Sequence, residues 1–188
     1  ALVDRVAFAA AETGMRQAVL SATLRTVGGQ AFAPDAGAVG RLDDLLSDSD
    51  FGGASLGGCL IRIWDGHILA CREPKRAAPP VALTPDVWTR WDGRFSVRAA
   101  RCGEGATVGV LGSQAYAMLR RARNLSLPAV AGAGLPAVRS GAGLTAVQSV
   151  GWAEGDFLTV EERYSPLWPL SSETFTVVSA GPDIRSVR

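Results

Sequence analysis

Ser55-Leu56-Gly57-Gly58-Cys59-Leu60-Ile61-Arg62-Ile63-Trp64-Asp65-Gly66-His67-Ile68-Leu69-Ala70-Cys71-Arg72 is the stretch whose reading governs the fold. Two β-rich runs, 55–64 and 67–72, flank Asp65-Gly66. A two-residue type I′ turn needs positive φ at both central positions, and Asp-Gly tolerates this well. The spacing predicts a β-hairpin, with His67 as a strand residue beside the turn. Pro74 cannot donate to a ladder and ends the second strand. Gly52-Gly53 and Gly57-Gly58 precede a strand, not a helix. They offer no helix dipole to an anion and read as turn and bulge glycines.

Upstream the apolar period is helical. Leu20, Leu24 and Val27 recur at helical spacing, as do Met15, Ala18, Val19 and Ala22, and Gly28-Gly29 stops the helix. Asp35 is placed to cap a second helix with the stripe Val39, Leu42, Leu45 and Leu46. Residues 1–6 read as the middle of a helix. With no initiator Met, the expectation is a chain cut from something longer.

Downstream, residues 73–86 hold four prolines and read as a linker or a meandering edge. The expected organisation is a helical region ending in the hairpin (1–72), the linker (73–86) and a C-terminal domain (87–188). In the last, 94–99 and 107–111 read as strands. Ser113 opens a helix to Arg123 with Tyr116 and Leu119 on its apolar face. A loop over 124–134 precedes short strands at 137–139, 144–150, 157–161 and 174–179. The fold class is α+β with a mostly antiparallel sheet.

Hydrophobic residues make up 47% of 188, enough for a packed core, which argues against disorder. No apolar run approaches the roughly 20 residues of a membrane span. Three cysteines (Cys59, Cys71, Cys102) form an odd, widely spaced set, which fits reduced thiols in a cytoplasmic protein. One histidine without CxxC or HxxxH spacing gives no zinc signature. A phosphate-cradling GxxxxGK[ST] loop and a GxSxG elbow are both missing. The acidic pairs Asp43-Asp44 and Glu161-Glu162 are adjacent, and neighbouring strand residues face opposite ways. No residue is therefore assigned to catalysis, cofactor binding or metal binding.

Charge is uneven. Residues 61–140 carry twelve basic and five acidic groups, whereas both flanks are acidic. All the basic residues except Lys75 are arginines, the better donors to phosphate and base edges. The RNA-binding candidates are Arg72, Lys75, Arg76, Arg94, Arg120, Arg121, Arg123 and Arg139. Each has a structural alternative. Arg120, Arg121 and Arg123 sit where a helix C-terminus favours cations. Arg94 can stack locally beside Trp91. Trp88 and Trp91 fit a core as well as a base-stacking platform.

The motifs also form an ordered series. Leu56-Gly57-Gly58-Cys59 leads to Arg72-Glu73-Pro74, then Trp91-Asp92-Gly93-Arg94-Phe95, Leu111-Gly112, Arg120-Arg121 and Leu127-Pro128-Ala129. Leu135-Pro136-Ala137-Val138, Val150-Gly151, Phe157, Arg163-Tyr164-Ser165-Pro166 and Pro169-Leu170 complete it. Over residues 20–178 this order resembles the region after the catalytic domain of tRNA(Ile)-lysidine synthases, especially those of alpha-proteobacteria. The resemblance implies tRNA recognition on behalf of an ATP-dependent ligase that joins lysine to the wobble cytidine of the CAU anticodon. It implies tRNA(Ile) and the enzyme's N-terminal catalytic domain as partners; the residues themselves give no membrane span and leave a homodimer open. ATP with Mg and lysine would be handled by that N-terminal domain, whose SGGxDS loop does not occur here. The pattern departs from the family at Gln148-Ser149-Val150-Gly151, where Pro-His-Leu-Gly is common, and at Val130-Ala131-Gly132, where arginine often follows Leu-Pro-Ala. Without the family, the residues leave open a protein-interaction or dimerisation module that does not touch RNA.

Overall fold

The computed structural model describes residues 1–141, 143–154 and 159–170. The strand expected at 174–179, and residues 157–158 of another, lie outside them. The described chain forms two compact units, residues 1–76 with 166–170, and residues 77–165.

The first unit contains β1 (Leu2–Asp4), α1 (Arg5–Ala10), α2 (Thr13–Gly28), α3 (Ala36–Leu46), β2 (Ala54–Leu56), β3 (Cys59–Trp64) and β4 (His67–Arg72). The strands pair in the order β1-β4-β3-β2, all antiparallel. Asp65 (φ 47°) and Gly66 (φ 74°) form the expected left-handed turn, closing Trp64 onto His67. Residues 1–6 are not the interior of a helix. Leu2 and Val3 pair with Leu69 and Ile68, and Asp4 then caps α1 by accepting from the Ala7 amide at 2.7 Å. The edge of β4 supplies backbone partners that a short helix could not keep alone.

Leu20, Leu24 and Val27 of α2 and Val39, Leu42 and Leu46 of α3 bury against Cys59, Ile61 and Ile68. The buried stripe is narrower than expected, because Met15 and Leu45 are exposed; Thr23 and Thr26 complete the face of α2. A Cβ at Gly28 would lie 2.2 Å from the Gly57 carbonyl oxygen, so α2 and the β2–β3 turn meet only with glycine there. Residues 166–170 belong to this unit. Thr26 Oγ1 donates to the Trp168 carbonyl (2.6 Å), Trp168 Nε1 donates to Ala31 O (3.1 Å), and the Arg25 guanidinium sits 3.6 Å from the Trp168 ring centre.

The second unit contains β5 (Val81–Ala82), β6 (Thr89–Trp91), β7 (Phe95–Ala99), β8 (Thr107–Val110), α4 (Ser113–Arg123), α5 (Ala129–Gly132), β9 (Pro136–Ser140), β10 (Gly143–Val147), β11 (Trp152–Ala153) and β12 (Val160–Tyr164). One sheet runs β11-β10-β9-β8-β5 and another β12-β7-β6. Trp91, Phe95, Val97, Val108 and Val138 centre one core, and Leu111, Tyr116, Leu119 and Val147 another. Beyond a 3-10 turn at Pro74–Arg76, the proline-rich stretch is packed rather than free. Leu83 is buried, β5 pairs with β8, and Trp91 Nε1 donates to Pro79 O at 3.2 Å. Ser113 is the first helical residue and not the cap. Gly112 (φ 84°) holds that position, without a side-chain hydrogen bond.

The chain is thus α+β, and every strand pairing among the described residues is antiparallel. No helix of the described residues is long and apolar enough to cross a membrane.

Candidate nucleic-acid interface

Three of the eight candidate cations are engaged by the protein itself. Arg72 is buried; its Nη1 donates to Gly58 O at 3.2 Å and its Nη2 to Arg76 O. Arg94 is also buried. Its Nε and Nη2 bind Asp92 Oδ2 at 2.9 and 2.6 Å, and Nη2 reaches Gly134 O at 3.2 Å. Its aromatic neighbour is Phe95, whose ring centre lies 4.9 Å from the guanidinium carbon. Arg139 donates to Val110 O (3.0 Å) and Leu111 O (2.8 Å) across the β8–β9 pair, and burial pulls its pKa down. These guanidiniums satisfy buried and part-buried carbonyls and a buried carboxylate, which would otherwise be costly to desolvate.

The other five are exposed. Lys75 and Arg76 lie on the 3-10 turn of the first unit, and Arg120, Arg121 and Arg123 form the last turn of α4 in the second. The sequence of α4 contains no acidic residue. Asn124 follows in the left-handed conformation (φ 50°) and closes the helix onto Arg120 O. Tyr116, buried beneath, donates its hydroxyl to Leu127 O at 2.7 Å and so fixes the loop beyond the helix. Burial raises the Tyr116 phenol while the nearby Arg120 charge lowers it, so the hydroxyl stays a neutral donor. A cleft of about 370 Å³ opens here, lined among others by Ser113, Tyr116, Arg120, Arg121 and Asn124. Its cations, backed by a fixed loop, can receive phosphate oxygens.

No family model, curated protein or solved structure matches this chain.

A further basic group escaped the sequence reading. On the β6-β7-β12 sheet, Phe95, Val97 and Ala99 are buried, so Ser96 and Arg98 take the other face. The pairing sets Arg90 and Arg163 beside Ser96, and Glu161 beside Arg98. The ring of Trp88 lies under Arg163 (4.2 Å) and Arg98 (5.3 Å). Arg98 is also paired with Glu161 and lies 3.6 Å from Asp86. The alternation in β7 marked Arg98; nothing local announced β12 as its neighbour. Trp91, by contrast, is core, at 1% exposure.

Glu161 and Glu162 do face opposite ways. Glu162 pairs with Val97 on the core side and accepts from Ser149 Oγ. Burial pushes its carboxyl up to about 7, against the opposing pull of Ser149 and of Arg94. All three cysteines are free thiols, Cys59 and Cys71 buried. Among the described residues no group of three His, Cys, Asp or Glu side chains is placed to hold a metal.

Proposed function

We propose that this chain is the tRNA-recognition part of a tRNA(Ile)-lysidine synthase. It would hold tRNA(Ile) while a catalytic domain outside these 188 residues uses ATP, Mg and lysine to modify the wobble cytidine. The ordered motif series supports the family. The observation that carries RNA contact is the exposed triad Arg120, Arg121 and Arg123 on an acid-free helix end. RNA helices are gripped largely by shape and backbone, which suits arginines without a base-reading code. On this reading the protein works in the cytoplasm.

The test is a titration of the chain with tRNA(Ile) at several salt concentrations. Binding is expected to weaken steeply between about 50 and 200 mM salt, as phosphate contacts release counterions. Replacing Arg120, Arg121 and Arg123 together by Ala should lower the affinity and flatten the salt slope by about 2. Unchanged affinity with an unchanged circular dichroism spectrum would sink the assignment.

One observation favours a second reading, a protein-docking or dimerisation module. Leu167, Trp168 and Leu170 are each nearly half exposed in one short segment. Concentration-dependent dimerisation, with no tRNA retained at low salt, would select it.

A further inference from the structure

Leu56, Gly57 and Gly58 form one wall of a second cleft, of about 680 Å³, within the first unit. Gly57 (φ 59°) and Gly58 (φ 74°) make the β2–β3 turn in a conformation other residues adopt only with strain. Facing this turn is the 3-10 turn that carries Arg76. Buried Arg72 ties the two together, donating to Gly58 O and to Arg76 O, and Glu73 N donates to Gly58 O at 2.9 Å. The cleft is therefore braced and not a gap between loops.

Its lining combines three chemistries. Phe32, a residue 85% exposed, presents an aromatic ring. Arg76 brings a cation whose side chain is 74% exposed, with Glu73 4.0 Å away, and exposed Lys75 precedes it. An exposed ion pair at that distance contributes little, so Arg76 can turn to a phosphate at small cost. Gln30, Ser55 and Glu73 add hydrogen-bonding groups suited to a base edge. The volume lies in the range of small-ligand sites.

From this juxtaposition we infer that the cleft binds one unpaired nucleotide of an RNA strand. The base stacks on Phe32, and Arg76 holds the phosphate. The inference rests on reading the chain as an RNA binder, but it concerns single-stranded RNA and a different unit from the α4 cluster.

The test is an NMR titration of the whole chain with a 5′-phosphorylated single-stranded RNA trinucleotide. Amides of residues 30–34, 55–58 and 73–76 are expected to shift. Phe32→Ala should weaken binding about fivefold or more at unchanged circular dichroism. Arg76→Ala should reduce the salt slope by about 0.7. The variant with Arg120, Arg121 and Arg123 replaced should keep the trinucleotide response. If tRNA retention fails in the wild type while the trinucleotide still moves these amides, the tRNA reading falls and the cleft site stands. No shift in these amides at millimolar RNA, or an affinity unmoved by Phe32→Ala, overturns the inference.

Discussion

Strand β12 turns Glu162 toward the side occupied by Val97, a face that apolar residues otherwise fill. A carboxyl there is easier to keep neutral, which is why its pKa rises from the ordinary 4.5 to about 7. The folded state then holds a proton that the unfolded chain has already released. This contribution to stability is full below pH 4.5, declines as pH rises toward 7 and is lost above it. Its size is at most about 3 kcal/mol. Glu162→Gln is expected to remove that decline and to unfold at a higher temperature than wild type at pH 8. Thermal midpoints of the two proteins across this range give the check; parallel curves would show that another group titrates. At this scale the sequence was legible where chemistry is local. Asp65-Gly66 announced its turn through backbone sterics alone. The same dipeptide recurs as Asp92-Gly93, again with positive φ at both residues, but there the Asp92 carboxylate also binds Arg94 and the Ala78 amide. No turn was expected there, although the letters repeat, and the partners of Asp92 had no local mark at all.

Between elements, the clearest tie in the first unit is electrostatic. Arg16 of α2 holds Asp43 of α3 with two hydrogen bonds, Nε to Oδ1 at 2.7 Å and Nη2 to Oδ2 at 3.0 Å. Asp43 is 1% exposed. The pair raises the Arg16 guanidinium pKa, the Asp43 hydrogen bond outweighing desolvation. Removing Arg16 would strand a buried carboxylate, so Arg16→Ala is expected to destabilise the chain more than loss of an exposed ion pair would. Urea unfolding measures this, and a loss below about 1 kcal/mol would place the pair among weak surface bridges. Helical periodicity located α2 and α3, and the Asp35 cap is present, accepting from Ala38 N at 2.9 Å. It could not show that Asp43 is buried, since burial of a charge depends on a cation 27 residues away. The misread start of the chain has a related cause. Residues 1–6 suit a helix locally, but a ladder with β4 competes and wins for Leu2–Asp4.

Across the molecule, each unit is packed on hydrophobic clusters of its own, one in the first and two in the second. A cavity cut into one is expected to be felt mainly there. Leu24→Ala, at a site 1% exposed, should cost about 3 kcal/mol. Amide exchange should quicken in α2, α3, β3 and β4 more than in β7–β9. Equal acceleration in both units would show a single cooperative transition instead. The α+β class, the hairpin and α4 were all readable in residue order, because turn sterics, capping and apolar periodicity act within a few positions. The fate of the arginines was not. Arg139 meets carbonyls 28 and 29 residues back, Arg94 a carbonyl 40 residues on, and Arg98 a carboxylate 63 residues on. A guanidinium carries no local mark of the oxygen it will meet. Chain order alone distinguished basic regions from acidic ones, whereas long-range pairing sorted the arginines into those that brace the fold and those that stand exposed to solvent.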